Sequence, residues 1–223
     1  MAKTAPHKQG KGNNLLPVGI GIAVIAVAAG VLLYLGQDSA SPEDSAKARA
    51  AALASEHAPS VGNADAKVHI VEFLDPACET CAVFYPMVKQ WMSEVPNDIR
   101  LSVRHVAFHE GAEHAVRVLE ASRAQGKYWE TLEALLASQQ QWVQHHVVLP
   151  DRIPFAISGV GLDMDRLMAD MNSTDVTQRM EQDRQDSITL KVSATPEYFV
   201  NGRPLPSFGQ RQLAQLIREE LEK

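Results

Sequence analysis

A chain of 223 residues has room for one well-cored domain with some additional segments. Its formal charge of −6 and pI of about 5.7 argue against a nucleic-acid partner, which needs a basic face. The two cysteines, Cys78 and Cys81, fall within four residues. That spacing suits neither a disulfide framework that closes long loops nor a four-ligand zinc site, and it points first to redox chemistry.

In chain order, the first feature is the uncharged apolar run from Leu15 to Leu35. As a helix it is about 31 Å long and matches the hydrocarbon core of a bilayer. Lys3, Lys8 and Lys11 precede it, and Asp38, Glu43 and Asp44 follow it. By the positive-inside rule, residues 1–14 are a cytoplasmic tail, 15–36 a single transmembrane anchor, and the rest lies outside the cytoplasm. The expected location is a bacterial inner membrane with the C-terminal domain in the periplasm. The run is longer than the apolar part of a signal peptide, although cleavage stays open as an alternative.

Residues 37–66 read as a tether. Ser41 is suited to an N-cap, Pro42 to the first helical position, and Glu43 and Asp44 to the first turn. The alanine-rich stretch after them lacks a wide apolar stripe, so the expectation is a short, exposed spacer helix.

Residues 67–223 carry the domain. Val68–Leu74 has the continuous apolar character of a buried strand. The cysteine motif follows, then a helix over Ala82–Val95 that Pro96 stops, and a second strand over Ile99–Phe108. From Gly111 to about Lys191 the pattern is helical. Its segments are Ala112–Gln125, Tyr128–Gln139, Leu162–Met171 and Thr174–Leu190, with a break at Pro150 and Pro154. Glu197–Val200, the Asn201-Gly202 turn and Arg203–Leu205 predict a hairpin, and a helix from about Gln210 to Glu222 closes the chain.

A strand that ends in Cys78-Glu79-Thr80-Cys81 and opens a helix puts the first sulfur at a helix N-terminus. Unpaired N–H groups and the helix dipole favour a thiolate there. Cys78 is the expected nucleophile, and Cys81, one turn along and more buried, the resolving thiol. The Glu79-Thr80 dipeptide tunes the pair: the Glu79 charge opposes the dipole and makes Cys78 a less acidic thiol and a milder oxidant. Glu72 is a carboxylate on an otherwise apolar strand. It either serves the centre, or is a strand-end glutamate that faces solvent or pairs with Lys67 or Lys89. Asp75 is closer to the motif and reads as a helix-entry residue. His105, His109, His114, His145 and His146 read as structural or exposed positions, so no metal is expected.

Four features in this order resemble the thioredoxin superfamily, and its DsbA-like branch in particular. Val71-Glu72-Phe73 leads into the motif, and Pro86 lies five residues past Cys81. Gln125-Gly126-Lys127-Tyr128-Trp129 resembles a turn between the branch's inserted helices. Thr195-Pro196-Glu197-Tyr198-Phe199-Val200-Asn201-Gly202 resembles the segment that carries the family's cis-proline. The resemblance spans essentially all of residues 67–223. It implies an α/β, thioredoxin-like fold with an inserted helical subdomain at about 111–191, here preceded by one transmembrane helix. It also implies a cis Thr195-Pro196 bond beside Cys78, the Thr195 backbone offered to an incoming chain, and proton exchange between Glu72 and Cys81.

The expected function is thiol–disulfide exchange with exported proteins, with the direction of electron flow open. No cofactor is expected beyond the Cys78–Cys81 disulfide, and the expected redox partner is a DsbB-like or DsbD-like membrane enzyme. Two alternatives stay open: a copper-handling protein that uses the cysteines and a histidine, and a redox-inert binding module.

Overall fold

The computed structural model describes residue 1 and residues 41–223. The expected anchor over 15–36 lies outside the described residues. Two compact units are present, Met1–Ser45 and Ala46–Lys223.

In the first unit, Ser41 Oγ accepts a hydrogen bond from the Asp44 amide at 3.1 Å, as an N-cap serine should. The helix it starts, α1, spans Pro42–Ala54, and from Ala46 onward it belongs to the second unit.

The second unit is built on a five-stranded sheet of order β1-β3-β2-β6-β7. Its strands are β1 Ser60–Gly62, β2 Val68–Leu74, β3 Ile99–His105, β6 Glu197–Val200 and β7 Arg203–Pro204. The pair β2–β3 is parallel, and the other neighbours are antiparallel. Both faces of central β2 are covered, which is why its sequence is nearly all apolar. By the two-residue period of a strand, Val68, Ile70, Glu72 and Leu74 share one face, and Val71 and Phe73 the other.

The first face joins the main core. It includes Phe84 and Val88 of helix α2, Glu79–Glu94, and Leu213, Leu216 and Ile217 of the last helix, α9, Gln210–Leu221. The second face packs Val71, Phe73 and Phe199 against Val106, Leu190, Ala52 and Leu53. The last turn of α1 therefore covers part of the sheet and is not an exposed spacer. Small Ala52 fits flat on the strands, and its carbonyl accepts from the buried Arg104 guanidinium at 2.8 Å. Arg104 also pairs with Asp183 and Asp186, and those two carboxylates bind His57 and Ser55 just beyond α1. Ser60–Gly62, within the segment read as tether, is the edge strand of the sheet.

Between β3 and β6 lies the expected helical block. It comprises α3 Ala112–Ser122, α4 Tyr128–Ala137, α5 Gln139–Trp142, α6 Ile153–Ala156, α7 Met164–Asp170 and α8 Thr174–Leu190. One part of the helical expectation is corrected. Strands β4 Val143–Gln144 and β5 Val147–Val148 form a two-residue hairpin. Its turn residues His145 and His146 both have left-handed φ, 51° and 64°. That is the backbone of a type I′ turn, which usually advertises itself with Asn-Gly.

Candidate functional site

Helix α2 begins at Glu79, with Cys78 in extended conformation at the N-cap position. This start, three residues earlier than the apolar spacing suggests, brings the free amides of the first turn to the Cys78 sulfur. Cys78 is 6% exposed and Cys81 fully buried, and both are free thiols. The Cys78 thiol is pulled down to about 5. The main cause is a hydrogen bond from Cys81; burial opposes it, and the Thr195 side chain and the N–H groups of Cys81 and Thr80 add to it. Cys81 moves the other way, raised by burial first and then by its hydrogen bond to Cys78 and the charge of Glu72. One thiolate and one thiol thus share the centre, the division of roles that disulfide exchange requires.

The Thr195-Pro196 bond is cis. The Thr195 carbonyl lies 3.3 Å from Cys78 Sγ, and Pro196 is buried behind it. Residues 117 positions apart in the chain therefore meet at the sulfur, as the resemblance implies.

Glu72 is fully buried on the face of β2 that looks toward α2. It accepts a hydrogen bond from Tyr198 Oη at 3.0 Å through Oε1, while Oε2 has no partner. Burial raises its carboxyl to about 8; the Tyr198 bond pulls it down and the Cys78 charge pushes it up. The solvent-facing alternative, with Lys67 or Lys89 as partner, is not the arrangement found.

Four further residues organise the site through contacts made only by folding. Buried Asp75 accepts from the amides of Ala77, Phe108 and His109 and from His109 Nδ1, all at 2.7–2.9 Å. It ties the loop after β2 to the loop after β3. Gln139 donates to the Pro76 and Cys78 carbonyls at 2.8 and 3.1 Å. Tyr198 holds Glu72, and His146 Nδ1 lies 3.3 Å from the Glu79 carboxylate, with both side chains exposed. Only Asp75 carried a sequence signal, as an acid next to the motif. Of the other histidines, His105 is buried against the Tyr128 hydroxyl at 2.7 Å. Exposed His145 occupies the hairpin turn.

The thioredoxin family model matches residues 27–219. The chain belongs to the thioredoxin family. Among solved structures, this thioredoxin-family chain resembles a thioredoxin-like oxidoreductase from Silicibacter pomeroyi DSS-3. The identity is 27% and the TM-score 0.67, over 78% of this chain and 98% of that one. It shares its fold with alpha-DsbA1 of Wolbachia pipientis at 15% identity and TM-score 0.67, over 78% and 96% of the two chains. It also shares its fold with BdbD from Bacillus subtilis at 23% identity and TM-score 0.65, over 74% and 94% of the two chains. A curated relative, the Na(+)/H(+) antiporter NhaA of Herminiimonas arsenicoxydans, is 32% identical over 144 residues, 65% of this chain. The match covers only 22% of the antiporter's length.

Proposed function

We propose that this thioredoxin-family protein exchanges disulfides with exported proteins through Cys78 and Cys81. The observation that carries the reading is a Cys78 thiol held at about 5, with the Thr195 carbonyl at 3.3 Å and a protonated Cys81 behind it.

In the reducing direction the Cys78 thiolate attacks one sulfur of a substrate disulfide. A mixed disulfide forms, and one substrate thiolate leaves. Cys81 then gives up its proton and attacks the Cys78 sulfur, which closes the Cys78–Cys81 disulfide and releases the second substrate thiolate. Two electrons have passed to the substrate, and the reverse sequence oxidises a dithiol. Glu72 is the proton acceptor for Cys81, because a carboxyl poised at about 8 exchanges protons near neutral pH. Thr195 offers its backbone to the incoming chain, and Pro196 shapes the groove. No cofactor other than the disulfide is required.

The acidic Cys78 favours the dithiol form and so a disulfide readily reduced by substrate thiols. It also tempers the expectation of a mild thiol set by Glu79, whose carboxylate lies beside His146. Net direction then depends on a membrane redox partner, DsbB-like for oxidation or DsbD-like for reduction. The apolar run and its charge asymmetry support a single anchor over 15–36, with the domain on the periplasmic side.

Insulin reduction in the presence of a small dithiol tests the activity. Turnover is expected from the full chain and none above background from Cys78→Ser. Equal rates in the two would remove the reading.

A further inference from the structure

We propose that Glu79, His109 and His146 form a binding site for a divalent transition-metal ion of the zinc type, at the mouth of the cysteine centre. One ligand atom from each lies within 4.8 Å of the other two. Ligands about 2.0–2.2 Å from a zinc ion stand roughly 3.4 Å apart in a tetrahedron. Glu79 and His146 are both exposed and close the difference by rotation about their side-chain bonds.

The three residues come from separate elements that the backbone fixes together. Glu79 is the first residue of α2, His109 lies in the loop after β3, and His146 is in the β4–β5 turn. The hairpin is pinned to the His109 loop by the Val148 amide, which donates to the Glu110 carbonyl at 2.9 Å. The two imidazoles stack with centroids 6.0 Å apart.

Independent support comes from Asp75. A buried carboxylate only accepts, so His109 Nδ1 must be its donor at 2.8 Å. That bond sets the tautomer and leaves Nε2 as the free ligand atom, the carboxylate–histidine–metal arrangement seen behind bound ions. A second bond from the His109 amide to the same oxygen, at 2.9 Å, holds the ring's backbone in place. Two imidazoles and one carboxylate suit zinc-like ions, whereas calcium and magnesium take six or more oxygen ligands. Three protein ligands also leave a fourth position for water or another ligand.

This site does not depend on the exchange reading, and its test is arranged accordingly. Zinc is titrated calorimetrically into the full chain in its disulfide form, where the two sulfurs are bonded to each other and no thiolate is available. One ion per chain is expected, with no saturable heat from magnesium. Affinity falls by roughly tenfold or more in Glu79→Gln and in His146→Asn. Asparagine tolerates the left-handed φ at position 146, so the turn survives, and an unchanged circular-dichroism spectrum checks it. Absence of saturable zinc binding to the disulfide form overturns the proposal. So does undiminished affinity in both variants, or binding confined to the dithiol form and lost in Cys78→Ser. Insulin reduction by the metal-free chain reports separately on disulfide exchange.

Discussion

At the scale of single residues, the fold holds two neighbouring sulfurs in opposite protonation states. Cys78 ionises early because Cys81, Thr195 and two helix amides stabilise its charge, and Cys81 stays protonated because it is buried beside that charge. Alkylation of Cys78 should therefore follow a titration with a midpoint near 5, and Cys81→Ala should move the midpoint upward by removing the largest stabilising bond. A midpoint near the free-cysteine value of about 8.5 would contradict this.

Glu72 gives a second prediction. Its carboxyl is raised in the folded state, from 4.5 to about 8, so between those values the folded chain holds a proton that the unfolded chain has lost. The associated stability is fully present below 4.5 and declines as pH rises to about 8. Urea unfolding of the disulfide form should show that decline, and Glu72→Gln should flatten it. The disulfide form is used because ionisation of Cys78 acts with the opposite sign. A parallel decline in both proteins would remove Glu72 as the cause.

At this scale the sequence was legible where chemistry is local. The Cys78–Cys81 pair announces itself by spacing, and Glu72 by being the one acid on an apolar strand. Asp75, His109, Gln139 and His146 act through contacts made by folding. Asp75 meets His109 across 34 positions, and Gln139 meets the Cys78 carbonyl across 61. No one-dimensional pattern links such partners.

At the scale of elements, α1 departs most from its expectation. Without an apolar stripe it reads as a spacer, yet its last turn is held by Arg104, whose guanidinium binds the Ala52 carbonyl, Asp183 and Asp186 beneath the surface. Removing one partner from such a group leaves buried charge unpaired. Arg104→Ala should therefore destabilise the domain by about 3–5 kcal/mol and expose Lys47 and Arg49 to faster tryptic cleavage. A loss within about 0.5 kcal/mol, as for an ordinary surface change, would show that the network does not hold α1. Most other elements were readable because periodicity and punctuation agreed: β2, β6 and α8 occur at their expected bounds. The β4–β5 hairpin was not, since each strand is two residues long and its turn carries His145-His146 in place of Asn-Gly. Edge strand β1 has three residues, too few for an alternating pattern to register.

At the scale of the whole molecule, a thioredoxin-like sheet carries the cysteine pair at the end of its central strand, with helix α5 supplying Gln139 and the β4–β5 turn supplying His146. The proposed anchor would confine this centre to one membrane face. The most direct measurement of the central claim is a trapping experiment in cells. Cys81→Ser, which can form a mixed disulfide but cannot resolve it, is isolated and its disulfide-linked partners are identified by mass spectrometry. Exported, cysteine-containing proteins joined to Cys78 and released by reductant are expected, with none joined to the Cys78→Ser/Cys81→Ser double variant. Recovery of no linked partner, together with no activity on insulin, would contradict it.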